Sequence, residues 1–585
     1  MARKTNLPFS DNKPFYVAQI AFLTFLTWAG IAGVSFAGDD YQYLHSLAPI
    51  ASWLDLFKPF FSHDINPSVF RPIANMTMVS DFLIYGWQGW GFHLTNLLLH
   101  VAASLVAYRF FQKVFAVPRE LASLMALLFG ALGSHDFNIL TSTARADILV
   151  ALFTMLTLLF EWEIVSDFQN GITRPRIRWL LPSLIAFSLA LLSKEVAIVI
   201  PVLIVLLFWF RPSEWKWVSL KRGLRHILPH LVILVGYYFY HAHFTGSALA
   251  SQPLQSEAAT SPVALLRNGL YGLGYMFAPI DLRTATLILS KWKVPAMLLG
   301  GGSIIALLFL ATRTLDRKML LWLYRPFVFG VVTGSLVLLS FERWRLYTPS
   351  IAGVVILCVM VDAVRQKYKQ RWVALGLNII VPLYFLLNIW HAYAMSSNWT
   401  ASSEKITEYK QSLGTLLAPL VKDQTDTLDV TFIDIPAKLG SVSVLQLGLE
   451  DIAKQGIAEK LYPADARLAD ARRIKLNTNA LTEIYAFDRT MGFSGFDLTK
   501  LGSISYELLA LPNTSTLLIP ALGFVKGIAR RDWKLVRGDT VTLEHTRVIV
   551  EEAEGSFALE LRIEMMDAKT AQIEFKNGKF QVGTP

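Results

Sequence analysis

The first two thirds of the chain alternate between long apolar runs and short polar connections. A helix needs about 20 consecutive apolar residues to cross the hydrocarbon core of a membrane. The pattern predicts eleven spans, near residues 15–37, 93–115, 119–134, 146–164, 179–194, 196–210, 227–243, 295–312, 320–340, 350–364 and 372–391. A further apolar segment, 265–279, is short and Gly-rich, and it is either a re-entrant or interfacial helix or a twelfth span.

A different pattern begins near residue 396, where short runs of alternating apolar and polar residues replace the long apolar ones. Such runs predict β-strands, and they lie at 428–435, 516–523, 540–552, 557–566 and 571–580. Residues 443–455 predict a helix between strands. We therefore predict two domains, which are a helical membrane module over residues 1–395 and a soluble α/β domain over residues 396–585.

The composition also indicates a membrane protein. The 585 residues are 54% hydrophobic and 17% charged, whereas soluble globular chains have about 25% charged residues. A net charge of +10 is typical of basic cytoplasmic loops, so nucleic-acid binding is not expected. The single cysteine, Cys358, excludes intrachain disulfides and cysteine-based metal sites.

The basic residues orient the predicted spans. With eleven spans, the basic clusters at 3–13, 174–178, 211–225, 313–318 and 365–371 all fall on one side, which the positive-inside rule assigns to the cytoplasm. The N-terminus is then cytoplasmic, and the loop 38–91 and the domain 396–585 are extracytoplasmic, in the periplasm. We expect a multi-pass protein of the inner or plasma membrane, with interfacial helices in the Trp-rich loop 38–91.

Two adjacent acids, Asp39 and Asp40, directly follow the first apolar run. Carboxylates at a membrane surface are costly unless they are used. Transfer of a sugar from a lipid phosphate needs one base that accepts the proton of the acceptor hydroxyl. One carboxylate could be that base, while the other orients it or helps to bind a divalent metal. An ordinary solvated pair at a helix end is the alternative.

Two arginines lie between the ninth and tenth predicted spans. Arg343 and Arg345 sit among aromatic residues on the predicted outer side, where the positive-inside rule disfavours them. A guanidinium group binds phosphate through several N–H donors in one plane, so this element is a candidate clamp for a donor phosphate. Interfacial snorkelling or pairing with Glu342 is the alternative.

Charged residues also lie inside the predicted bundle. Lys194 and Glu195 separate two apolar runs with almost no loop, so either Lys194 contacts a phosphate in a cavity or the two form a structural ion pair. His93, Asn96 and His100 share one face of the second span. His93 lies nearest the outer surface and could reach a phosphate, whereas the other two are expected to bond between helices.

Arg145 and Asp147 border the fourth predicted span, and Arg71 lies in the first outer loop. All three are candidates for the same site. For Arg145 and Asp147 the alternative is a structural pair that holds the adjoining loop. Arg71 is ambiguous in the same way.

Together these segments resemble the GT-C glycosyltransferases, and more closely the membrane portion of the TMTC/PMT-type O-mannosyltransferases and their bacterial relatives. The resemblance rests, in chain order, on Gly38-Asp39-Asp40-Tyr41, Phe70-Arg71-Pro72-Ile73, Gly91-Phe92-His93-Leu94-Thr95-Asn96 with His100, Ala144-Arg145-Ala146-Asp147, Leu192-Ser193-Lys194-Glu195, and Glu342-Arg343 with Leu346-Tyr347-Thr348-Pro349-Ser350. It covers residues 1–395, after which the predicted α/β domain replaces the tetratricopeptide repeats of the eukaryotic proteins.

The resemblance implies an inverting, mannosyltransferase-like GT-C enzyme with a polyprenyl-phosphate sugar donor whose sugar reacts on the outer side. It implies Asp39 or Asp40 as the base, Arg343 as the first phosphate ligand with Arg345, Lys194, His93 and Arg71 as helpers, Tyr347 as a residue that orients the donor, and Glu195, Glu342, Arg145 and Asp147 as supporting residues. A divalent metal, Mg²⁺ or Mn²⁺, is an open alternative, with Asp40 as its ligand.

Three alternatives stay open. The same fold could use another sugar or a diphosphate lipid donor. A lipid-linked-sugar transporter or flippase is a different class, although the inverted repeats typical of transporters are not visible in the sequence. A scaffold anchored by a membrane bundle is the third. The expected partners are the lipid-linked donor, membrane lipids, and a protein, glycan or glycolipid acceptor.

Overall fold

The computed structural model describes most of the chain up to residue 422 and separate segments after it. The described residues are 13–37, 39–47, 50–62, 70–170, 172, 174–209, 217–245, 262–277, 313–339, 343–422, 428–433, 438–439, 442–443, 449–461, 476–481, 519–521, 524–526, 540–542, 546–554, 557–565, 571–576 and 579–582. The predicted span 295–312 lies outside them, as do Gly38 and Glu342.

Helices dominate the described chain up to residue 422. They are α1 (Lys13–Thr27), α2 (Asp39–Leu47), α3 (Lys58–Phe61), α4 (Pro72–Tyr85), α5 (Gly89–Lys113), α6 (Arg119–Ala131), α7 (Asp136–Leu140), α8 (Arg145–Gln169), α9 (Ile177–Ser193), α10 (Ile200–Trp209), α11 (Trp217–His226), α12 (Leu228–Thr245), α13 (Pro262–Phe277), α14 (Arg317–Leu339), α15 (Tyr347–Lys367) and α16 (Arg371–Lys422). Short 3₁₀ turns lie at Ala29–Gly33, Trp53–Phe57, Gly133–His135, Ser142–Ala144, Glu195–Val199 and Arg343–Leu346.

Several of these helices can cross a membrane. Within the described residues, four are long and apolar enough, which are Gly89–Lys113, Ser142–Gln169, Trp344–Lys367 and Arg371–Val421. A fifth results if Arg119–Ala131 and Gly133–Leu140, which are bent by 49° at their junction, cross as one span. Shorter apolar helices cover Pro14–Thr27, Ile177–Ser193 and Glu195–Phe208. The chain is a multi-pass membrane protein, and the number of eleven spans stays a prediction.

Close helix approach shapes the apolar core. At Gly130 of α6, an added Cβ would overlap the side chain of Thr24 on α1. The indole Nε1 of Trp28 donates to the carbonyl of Gly130 over 2.9 Å. Small residues let membrane helices pack closely because the backbones can meet. A large apolar cluster, which includes the fully buried Phe110 and Phe129, fills the space around this contact.

The contacts divide the chain into two compact units. The first unit is residues 1–34 with 50–397, and the second unit is residues 35–49 with 398–585. Helix α2, which begins at Asp39, therefore belongs to the second unit, although the sequence-based boundary placed it in the module 1–395. The cause is packing, because α2 lies against a helix that follows more than 400 residues later, α17 (Leu449–Leu461).

The described strands of the second unit form one mixed sheet and three antiparallel groups. The strands are β1 (Leu428–Ile433), β2 (Lys438–Leu439), β3 (Val442–Ser443), β4 (Leu476–Leu481), β5 (Ile519–Ala521), β6 (Phe524–Lys526), β7 (Thr540–Thr542), β8 (Thr546–Glu554), β9 (Phe557–Met565), β10 (Ala571–Lys576) and β11 (Lys579–Val582). The mixed sheet has the order β11-β10-β1-β4. Strand β1 is parallel to β10 and β4, and β10 is antiparallel to β11. The groups β7-β8-β9, β2-β3 and β5-β6 are antiparallel.

Candidate active site

A pocket lies between the start of α8 and the 3₁₀ turn Arg343–Leu346, which precedes α15. Its cavity volume is about 30 Å³. Its lining consists of Asp147, Val150, Thr154, Val196, Val199, Thr333, Arg345 and Thr348. One carboxylate and one guanidinium thus face a space whose other walls are valines and threonines.

The turn that carries Arg345 is held in place by its neighbours. The Trp344 ring stacks on the Phe137 ring of α7, with the ring centres 4.9 Å apart. The amide Nδ2 of Asn138 donates to the Trp344 carbonyl over 3.2 Å. Arg345 itself is half-buried. These contacts place the arginine on a fixed support, which preorganised binding of an anion requires.

A buried ion pair forms one edge of the pocket. The Nζ of Lys194 donates to Oδ1 and Oδ2 of Asp147 over 2.7 and 2.6 Å. Helix α9 ends at Ser193, and the extended backbone of Lys194 leads its side chain away from that helix towards the first turn of α8. The side chains of Lys194 and Asp147 are only 5% and 8% exposed, so water screens their attraction little.

A second ion pair lies beside the first. Arg71 precedes α4, and its Nε and one terminal nitrogen donate to the two carboxylate oxygens of Glu195 over 3.0 and 2.6 Å. This is the fork-to-fork geometry in which arginine binds a carboxylate most specifically. The structural alternative from the sequence, a Lys194–Glu195 pair, is therefore wrong. Each member pairs with a residue from a different element.

Arg145 is the centre of a buried network rather than a partner of Asp147. One terminal nitrogen lies 2.5 Å from Oδ2 of Asp81, and its Nε donates to Oδ1 of Asn96 over 2.9 Å. The hydroxyl of Thr95 donates to Oδ1 of Asp81 over 2.6 Å. The prediction of an Arg145–Asp147 pair is wrong. Arg145 pairs with Asp81 of α4, and Asp147 pairs with Lys194, which directly follows α9. The sequence analysis missed Asp81, although an acid inside an apolar helix is a recognisable signal.

His100 and Tyr347 bond to each other inside the core. The Nε2 of His100 lies 2.9 Å from the carbonyl of Gly130, and a carbonyl can only accept, so Nε2 carries the proton. Its Nδ1 then accepts from the Tyr347 hydroxyl over 2.6 Å. These bonds fit the interhelical role expected for His100. Asn96 also bonds beyond its own helix, because its Nδ2 donates to the Thr141 carbonyl over 2.8 Å.

The candidate ligands therefore separate into two groups within the described residues. Asp147 and Arg345 line the pocket, and Lys194 contacts it through Asp147. His93, Arg71, Arg145 and Tyr347 are not among the lining residues, and His93 and Tyr347 are fully buried. The side chain of Arg343 lies outside the described residues, as does all of Glu342. Their predicted roles stay predictions.

A third buried network, at the far end of α8, was also missed from the sequence. The Nε2 of His226 lies 2.7 Å from Oε2 of Glu161. Ser183 donates to the other oxygen of that carboxylate over 2.5 Å, and its oxygen lies 3.1 Å from Nε2 of His230. Glu161 stands within an otherwise apolar run, and the two histidines are four residues apart, so the pattern was visible. It joins α8, α9, α11 and α12.

The acidic pair begins α2 in the second unit. Asp40 is fully buried. Its Oδ2 accepts from the backbone N–H of Ala37 over 3.1 Å, while its own N–H donates to the Ala37 carbonyl over 3.2 Å. Burial raises the pKa of the neighbouring Tyr41, and the carboxylates of Glu459 and Asp40 raise that pKa further. The side chain of Asp39 lies outside the described residues.

Within the described residues, no group of three or more His, Cys, Asp or Glu side chains is arranged to hold a metal ion. The carboxylate of Asp40 accepts the backbone N–H of Ala37, three residues earlier, as the acid of a capping box does. A role for Asp40 as a metal ligand stays a prediction.

Sequence comparison finds similarity to protein O-mannosyl-transferases. Protein O-mannosyl-transferase TMTC4 of Homo sapiens is 22% identical over 359 residues, which are 56% of this chain and 44% of that protein. Its Mus musculus counterpart is 22% identical over 411 residues, 63% and 51% of the two chains. TMTC2 of Homo sapiens is 25% identical over 154 residues. The chain thus spans about half the length of the TMTC4 proteins. It spans 18% of the length of TMTC2. No family model matches it.

Two solved structures contain chains that are similar to this one. An archaeal oligosaccharyltransferase AglB from Archaeoglobus fulgidus, in complex with an inhibitory peptide and a dolichol-phosphate, has a TM-score of 0.44, 13% identity, and coverage of 76% of this chain and 64% of that one. ArnT from Cupriavidus metallidurans, bound to undecaprenyl phosphate, has a TM-score of 0.40, 13% identity, and coverage of 80% and 86%. The resemblance to TMTC-type O-mannosyltransferases is confirmed by the sequence matches.

Proposed function

We propose that this protein is a GT-C glycosyltransferase that moves a sugar from a polyprenyl-phosphate donor to an acceptor hydroxyl on the extracytoplasmic side of the membrane. The observation that carries the proposal is the pocket between Asp147 and Arg345. Two of the sequence elements that resemble the O-mannosyltransferases contribute to it directly, through Asp147 and Thr348. A third supplies Lys194, which bonds to Asp147. The sequence matches to O-mannosyltransferases support the same reading.

The charges of the pocket suit a monophosphate donor. Asp147 contributes one negative charge, and Lys194 and Arg345 contribute one positive charge each, so the described groups sum to +1. A sugar linked to a lipid through one phosphate carries one negative charge, whereas a diphosphate link carries two. We assign the phosphate to Arg345, whose guanidinium offers several donors in one plane. An ammonium has three N–H donors, so Lys194 can hold Asp147 with two and turn the third to the ligand.

The proposed reaction is a single displacement. The acceptor oxygen attacks the anomeric carbon on the face opposite the phosphate, and the bond from that carbon to the phosphate oxygen breaks. The electron pair leaves with the lipid phosphate, and the hydroxyl proton passes to a carboxylate base. One displacement inverts the anomeric configuration. The lipid phosphate is a good leaving group and needs no general acid.

We assign the base to Asp39 and an orienting role to Asp40. The carboxylate of Asp40 is buried and accepts a hydrogen bond from the backbone of Ala37, an arrangement that fixes the start of α2. A group held in that way serves better to position its neighbour than to exchange protons during each turnover. Replacing Asp39 with asparagine should then remove chemistry and leave donor binding, because only the transition state needs a proton acceptor.

The test is sugar release from a panel of radiolabelled polyprenyl-phosphate sugars by the purified full-length protein, with water as the default acceptor. We expect release from one donor, loss of release in Asp39→Asn, and weaker donor binding in Arg345→Gln. Asp362→Asn and Arg365→Gln are matched controls, since both residues lie at the other end of α15. Equal release from all variants would refute the assignments.

The same panel separates the alternatives. A transporter would move intact donor across a proteoliposome membrane and release no free sugar. A diphosphate-dependent enzyme would release sugar only from diphosphate donors, and this result would overturn the charge argument while keeping a transferase. Anomeric configuration of the product, read by NMR, tests inversion.

A further inference from the structure

The apolar stretch that forms α6 and α7 is broken inside the first unit. Helix α6 ends at Ala131, a 3₁₀ turn covers Gly133–His135, and the parts before and after the break are bent by 49°. All three residues of the turn are buried. A break of this kind leaves backbone N–H groups that a continuous helix would pair, so another part of the protein must accept from them.

Helix α16 closes the break with the side chain of Asn388. Its Oδ1 accepts from the Gly133 N–H over 2.8 Å, and its Nδ2 donates to the Tyr384 carbonyl, also over 2.8 Å. Because a carbonyl can only accept, the second bond fixes which end of the amide faces Gly133. Asn388 is 1% exposed. The ring of His391 packs at the same point, since a Cβ added to Gly133 would lie 2.7 Å from it.

The segment 133–138, which begins at this bond, supports the turn that carries Arg345. On one side of the arginine, the ring stacking and the amide–carbonyl bond both hold Trp344. On the other side, Nε2 of His135 lies 2.9 Å from Oγ of Ser350. That hydroxyl donates to a backbone carbonyl three residues earlier over 2.7 Å, so the histidine is the donor of the first bond. The segment is therefore fastened to the chain both before and after Arg345.

We propose that Asn388 is a positioning residue for the donor phosphate, which acts through segment 133–138 on the guanidinium of Arg345. The inference rests on the proposed function, in which Arg345 binds that phosphate. Asn388 is not among the residues that line the pocket. Removing its oxygen leaves the buried Gly133 N–H without this acceptor, and segment 133–138 loses a fixed point. A displacement of about 1 Å in a supporting element is enough to cost a large part of the binding or rate that it supports.

The test measures binding of undecaprenyl phosphate to the full-length protein in detergent, with undecaprenol as the probe that lacks the phosphate. The native protein is compared with Asn388→Ala, Arg345→Gln and the double variant. We expect Asn388→Ala to weaken binding about fivefold or more, the lower end of the effect of one unpaired buried N–H. If Asn388 acts through Arg345, the double variant should bind no more weakly than Arg345→Gln alone. A merely structural role would weaken binding equally in both backgrounds.

Hydrogen–deuterium exchange gives a second readout that needs no ligand. Asn388→Ala should raise exchange in segment 133–138 and in the turn Arg343–Leu346, and leave exchange in α9 unchanged. Asn388→Asp keeps an acceptor oxygen and should restore part of the binding. Asn398→Ala is the matched control, because it removes an exposed asparagine from the same helix, and it should change neither readout. If Asn388→Ala does not fold, Asn388→Ser replaces it, since a serine hydroxyl ends one atom short of the asparagine oxygen.

The outcomes separate this proposal from the proposed function. Native exchange in the folded Asn388 variants would overturn the positioning role, as would native affinity or additive losses in the double variant. Equal binding of undecaprenyl phosphate and undecaprenol by the native protein would instead refute the proposed function, and the role of Asn388 in donor binding with it, whatever the exchange result.

Discussion

The buried pair Lys194–Asp147 allows a structural and a functional role to be separated by measurement. With exposed fractions of 5% and 8%, neither charge is well solvated. Lys194→Met leaves the Asp147 carboxylate in the interior without its cation, and Asp147→Leu does the converse. Removing one partner of such a pair costs about 3–5 kcal/mol, whereas replacing both with apolar residues of similar volume is often neutral or stabilising. We expect each single variant to be strongly destabilised and the double variant to regain most of that loss.

The assay is the free energy of unfolding of all four proteins in the same detergent or nanodisc, arranged as a double-mutant cycle. The expected coupling free energy is about 3 kcal/mol or more, since the double variant leaves no unpaired charge. Donor binding is measured alongside. It should stay weakened in the double variant, because the Lys194 ammonium is gone although the fold is restored. Single variants within about 0.5 kcal/mol of the native protein would refute the buried-charge argument. Full recovery of donor binding would refute a ligand role for Lys194.

Three further predictions rest on other contacts in the structure. Gly414→Ala should destabilise the second unit, because the added Cβ would overlap the backbone of α17. Gly376→Ala is the control: its Cβ would meet nothing within 4 Å, so it should be neutral or stabilising by up to about 1 kcal/mol, and thermal unfolding compares the two variants. Tyr347→Phe leaves Nδ1 of His100 without its donor and should cost about 1–3 kcal/mol, measured as a denaturant midpoint. Arg145→Met should cost about 3–5 kcal/mol by stranding a buried carboxylate, read from yield of folded protein and its unfolding midpoint.

The partners of the buried charged residues could not be predicted from the sequence. The sequence placed Lys194 beside Glu195 and Arg145 close to Asp147, and local spacing made those pairs the natural expectation. The structure joins Lys194 to Asp147, 47 residues away, and Glu195 to Arg71, 124 residues away. Patterns of period 3.6 report only on neighbours three or four residues apart on one helix. Pairing across helices depends on how those helices pack.

The sequence by itself determined that the chain crosses a membrane as apolar helices, because burial of each long run depends on its own length and composition. It also determined which charged residues deserved attention, since charges among apolar runs are costly wherever the helices lie. Only the tertiary structure decided that Asp147 and Arg345 share a pocket while Tyr347 bonds within the core. It also brought Asp81 to Arg145. These outcomes depend on distances between segments far apart in the chain, which packing sets.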